Sequence, residues 1–71
     1  MKEKLLKDIQ REYQYQLDNG ISEEQAALFN NQLFIDKYHY DANTLNMLLS
    51  ELSHLGYIEK WIIPVFRYKV D

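Results

Sequence analysis

Both histidines lie close to an acid, and these two pairs are the chain's best candidates for chemistry. Glu51 and His54 stand three residues apart in Glu51-Leu52-Ser53-His54. On a helix this spacing puts a carboxylate and an imidazole on one face, as in di-iron carboxylate centres, which need matching carboxylates from other helices. The 71 residues hold no second copy of the pair. His39 sits between Tyr38 and Tyr40, two residues before Asp41, with no third ligand nearby to complete a tetrahedral centre. No glycine-rich phosphate loop and no activated nucleophile arrangement is present, and there is no cysteine for zinc or a disulfide. The reading is of a non-enzymatic protein, without metal or cofactor.

Binding chemistry is better represented. Tyr57, Trp61, Phe66 and Tyr68 are mixed with Lys60, Arg67 and Lys69 near the end of the chain. Rings among cations can stack single-stranded bases, or the rings can simply pack onto the core. Trp61 is set apart: with Ile58 and Ile62 facing the core it points elsewhere. Beside Ile63 it would anchor a partner protein or a second copy of the chain. A second group, Lys4, Lys7, Arg11 and Tyr15, projects from one side of a helix. It offers phosphate or partner contact, or is a solvated face carrying one exposed ring.

The elements that position these groups follow from periodicity. Residues 3–18 read as a first helix with Leu5, Leu6, Ile9, Tyr13 and Leu17 on one face and Asn19-Gly20 as the stop. Ser22-Glu23-Glu24-Gln25 is a capping-box pattern that opens a second helix. Its apolar residues surround the axis, so one helix reaching about Asp36 is expected. The alternative ends it at Asn31, with Leu33–Ile35 as a short strand. Asp41 caps a third helix in which Leu45, Leu48, Leu49, Leu52 and Leu55 form a stripe ended by Gly56. The tail reads as a hairpin: Tyr57–Ile63 is β-branched and aromatic, Pro64 lies near the turn, and Phe66, Tyr68 and Val70 alternate with Arg67 and Lys69.

The expected fold is therefore mainly α with a small β-hairpin, in one domain over residues 1–71. The apolar content of 46% is enough for a small core and argues against disorder. The N-terminus has neither a long apolar run nor a small-residue cleavage site, so a soluble, cytoplasmic protein is expected, without a membrane span. Net charge is −3. Residues 1–20 balance at zero, residues 21–56 carry −4 and residues 57–71 carry +1, so positive charge is kept to the ends.

Leu45-x-x-Leu-Leu-x-x-Leu-x-x-Leu-Gly-Tyr-Ile-Glu-Lys60, preceded by two helices and followed by a hairpin, resembles the winged helix-turn-helix superfamily, in the small bacterial or mobile-element style. The resemblance implies three helices followed by a two-stranded wing, with the third helix in the major groove and the wing on the backbone. It places Asn43, Asn46, Met47, Ser50 and His54 on the outward face of the third helix. Asn pairs bidentately with adenine, and Ser bonds either strand. Lys60, Arg67 and Lys69 become wing contacts to phosphate. That helix carries no Lys or Arg, however, and phosphate contacts usually supply most of the affinity. The implied role is an accessory or regulatory protein of DNA transactions, docked on a larger partner such as a polymerase, primase or nuclease through Trp61, Ile63 and Tyr15. A stand-alone transcriptional regulator is the alternative, and an acidic DNA mimic a third reading.

Overall fold

A computed structural model describes residues 1–62 and 64–70. Glycines end its two longest helices. Helix α1 spans Lys2–Asp18; Gly20 then turns at φ +84, with Ile21 N donating to Gln16 O and Gly20 N to Leu17 O. Helix α4, Ala42–His54, closes the same way: Gly56 turns at φ +88, Tyr57 N donates to Leu52 O and Gly56 N to Ser53 O. Both are Schellman caps, in which a residue without Cβ takes the left-handed conformation and returns two amides to orphan carbonyls. At the start of α4, the Asp41 carboxylate accepts from Thr44 N at 3.0 Å. That is the expected cap.

Between these helices the chain differs from the expected long second helix. Ser22 caps α2, but α2 covers only Glu23–Ala26. The chain then extends as β1, Leu28–Asn30, and re-enters a helix as α3, Asn31–Tyr38. The cause is local. Asn30 is extended and its side chain accepts from Gln32 N at 2.9 Å, so it starts a new helix instead of continuing the old one. The alternative strand at Leu33–Ile35 is also corrected, since those residues are helical. The all-round apolar pattern is the sum of three elements, α2, β1 and α3, with different buried faces.

Strands β2, Ile58–Lys60, and β3, Val65–Tyr68, form the expected hairpin. Strand β1 adds to its free side, giving a three-stranded antiparallel sheet in the order β1-β3-β2. In register, Leu28 and Glu59 flank Arg67, while Phe29 and Lys60 flank Phe66. Alternation then sends Phe29, Phe66 and Ile58 to the core and Leu28, Arg67 and Glu59 to the outer face. Phe29 stacks on Phe66 at 5.7 Å and meets the edge of Phe34 at 5.4 Å. Leu45, Leu48, Leu49 and Leu52 close the core from α4, with Leu5 and Ile9 from α1.

The described architecture is mainly helical with a small antiparallel sheet. Two apolar residues depart from expectation. Leu55 is 54% exposed because the helix has already ended at its cap, and Ile62 is 72% exposed because it lies beyond β2 at the hairpin tip. No described helix is long and apolar enough to cross a membrane.

Candidate interaction surfaces

Asn43, Asn46 and Ser50 are exposed on α4, as the wheel requires once Leu45, Leu48, Leu49 and Leu52 turn inward. Asn46 and Ser50 share a hollow of about 230 Å³ with Lys60 and Pro64, where the hairpin approaches the helix. The sheet's alternation puts Lys60 on this side, next to α4. Further along α4, Met47, Ser50 and His54 border an open hollow with Lys2. Polar bonding groups and one strand cation thus meet on one side of α4. Lys69 is exposed but stands on the opposite side of β3, with Arg67. The three hairpin cations do not form one cluster.

Arg67 is also engaged. Its guanidinium bonds the Glu59 carboxylate across the strands and lies over the Trp61 ring, 5.7 Å from the centroid. Its charge is balanced by that carboxylate, with Nε as the bonded nitrogen. Trp61 itself remains 53% exposed. With Arg67 and Leu28 it borders a hollow of about 480 Å³ whose far wall is Glu24 and Gln25 of α2. A smaller hollow, bordered by Tyr13, Glu23 and Val70, continues from it through Glu24 and Arg67. Ile63, the proposed neighbour of Trp61, lies outside the described residues. Tyr15 is 55% exposed on α1, under the Lys37 amine at 5.0 Å.

Two further groups went unrecognised in the sequence. Leu5, Asp8, Ile9 and Glu12 are the buried residues of α1, spaced i, i+3, i+4, i+7. Two carboxylates therefore sit on the core stripe, and both are clamped. Asp8 accepts from the Tyr40 hydroxyl at 2.7 Å and from the Lys4 amine at 3.1 Å. Glu12 accepts from the Tyr38 hydroxyl at 2.7 Å and from the Lys37 amine at 2.6 Å. Burial first, and then donation to Glu12, push the Tyr38 hydroxyl up to about 12. Burial and the bond to Asp8 raise Tyr40 as well. The Asp8 bond raises Lys4.

The clamps seize the segment Lys37-Tyr38-His39-Tyr40, where His39 turns the chain at φ +60 in place of a glycine. Histidine is among the side chains enriched in this conformation. These acids, tyrosines and lysines fix α1 to the end of α3 and so set where α4 begins. The available signal was the i, i+4 pair of acids in the apolar stripe of α1, facing a segment with two tyrosines and a lysine.

Glu51 and His54 are exposed, as is His39, and no group of three metal-binding side chains occurs among the described residues. Comparison with protein-family models, with curated proteins and with solved structures returns no match for this chain.

Proposed function

We propose that this chain is a winged-helix-like, non-enzymatic accessory or regulatory protein of DNA transactions that acts by docking on a larger protein. The observation that carries the reading is the Trp61 face of the sheet. An exposed indole, braced by Arg67 and Glu59, borders a hollow between strand and helix. Such a rigid aromatic is the kind of group that dominates protein interfaces. The order β1-β3-β2, with α4 preceding the hairpin, supports the winged-helix comparison. A larger enzyme such as a polymerase, primase or nuclease is the class of partner favoured.

The second reading is a stand-alone regulator that reads duplex DNA with α4. What favours it is the hollow that Asn46 and Ser50 share with Lys60. Against it stand the absence of Lys and Arg from α4 and the engagement of Arg67 by Glu59. Lys60 and Lys69 alone hold a duplex weakly at physiological salt.

Fluorescence anisotropy with duplex DNA tests the choice. The isolated chain should bind weakly, and Lys60→Ala with Lys69→Ala should flatten log affinity against log salt by no more than about two units. Replacing Asn43, Asn46 and Ser50 with Ala should leave sequence preference unchanged. A tight complex with a preferred sequence that those three substitutions abolish would make the regulator reading correct, since each bidentate base contact carries about 1–3 kcal/mol of discrimination.

A further inference from the structure

We infer that the groove between α2 and the outer face of the sheet receives a basic, apolar peptide segment of the partner protein. The inference rests on the docking reading above and adds the chemistry of what docks. The groove floor is Leu28 and Arg67, with Trp61 at one end and Val70 at the other, both about half exposed. Its helical wall carries Glu23 and Glu24, exposed carboxylates that no cation among the described residues neutralises. The one cation lining the two hollows, Arg67, is already balanced by Glu59, and Lys69, farther along the same side of β3, lines neither. The local charge is therefore negative around an apolar centre.

That combination selects a ligand. An apolar side chain against Trp61 and Leu28, flanked by Lys or Arg opposite Glu23 and Glu24, satisfies both the surface and the charge. A nucleic-acid strand could stack on Trp61, but its phosphates would face two carboxylates. A second copy of the chain would bring its own net charge of −3 to an acidic wall. The basic peptide is the occupant that the charges favour.

Selection of random twelve-residue peptides displayed on phage, with the full chain immobilised, tests this. The selected peptides should carry two or more Lys or Arg beside apolar residues and perturb the amide resonances of Leu28, Trp61 and Val70. Glu23→Lys with Glu24→Lys should weaken them roughly tenfold or more, and added salt should weaken the wild-type complex in the same direction. Circular dichroism reports whether that variant stays folded, and Glu24→Gln alone, with a smaller loss, provides the milder test. Acidic or uncharged winners, or no winners, would overturn the inference. So would binding of a dT12 oligonucleotide at the same residues, or a dimer that buries Trp61 in sedimentation. If Trp61→Ala abolishes partner binding while charge reversal on α2 leaves it intact, the docking reading survives and the basic-peptide inference fails.

Discussion

Tyr38 and Glu12 show how much a 71-residue chain depends on single contacts. Burial and its bond to Glu12 keep the Tyr38 hydroxyl protonated well past the ordinary tyrosine range near 10, up to about 12. A folded-state value raised above the unfolded one contributes stability that is complete below the unfolded value and is lost as pH rises through the folded one. The melting temperature should therefore fall between pH 10 and about 12, and Tyr38→Phe should reduce that fall, as scanning calorimetry across this window would reveal. Tyr40 is raised by the same causes, so the double Phe variant should reduce it further. Glu12→Ala removes the acceptor of both Tyr38 and Lys37. The Lys37 side chain keeps about half its exposure, so most of the loss comes from the tyrosine, and chemical denaturation should register about 1–3 kcal/mol. A Glu12→Ala variant as stable as wild type would mean that the clamp holds nothing.

Among the elements, α4 and the hairpin were legible in the sequence and the middle of the chain was not. Helix α4 has a side-chain cap, a period-3.6 stripe and a glycine stop that agree with one another. Residues 21–40 lack such agreement. Leu28, Phe29, Leu33 and Phe34 fit a helical wheel as easily as a strand: the Asn30 cap starts a new helix at Asn31, and pairing of Phe29 with Phe66 from the other end of the chain makes the preceding residues a strand. The Asn30 cap was a local signal within reach. Asp8 and Glu12 were hidden for a different reason: periodicity scores acids as solvent-facing, and Lys37, Tyr38 and Tyr40, which clamp them, are 25 to 32 residues away. Of the candidate site, the exposure of Trp61 was expected from Ile58 and Ile62 facing the core, of which only Ile58 does, whereas the capture of Arg67 by Glu59 needed the strand register. Leu49 and Leu52 are each 1% exposed, so Leu49→Ala or Leu52→Ala should cost roughly 2–5 kcal/mol and unfold much of the protein at ordinary temperature. Leu55→Ala should cost little. Equal melting temperatures for all three variants would disprove the division of the leucine stripe into buried and exposed members.

At the scale of the whole molecule, a net charge of −3 is spread so that the sheet's outer groove is acidic, while α4 carries no Lys or Arg. Trp61 is exposed on the same face as that groove. The proposed docking places the binding energy of this protein in Trp61 and directs it at another protein. Isothermal titration of wild type and Trp61→Ala against the protein that co-purifies with the chain tests it most directly. Trp61 is 53% exposed, so its truncation leaves no core cavity and the variant should keep the wild-type circular dichroism spectrum. Its affinity for the partner should fall by at least ~2 kcal/mol, about thirtyfold, as removal of a central anchor does. A folded Trp61→Ala variant that binds the partner as tightly as wild type would rule out docking through Trp61.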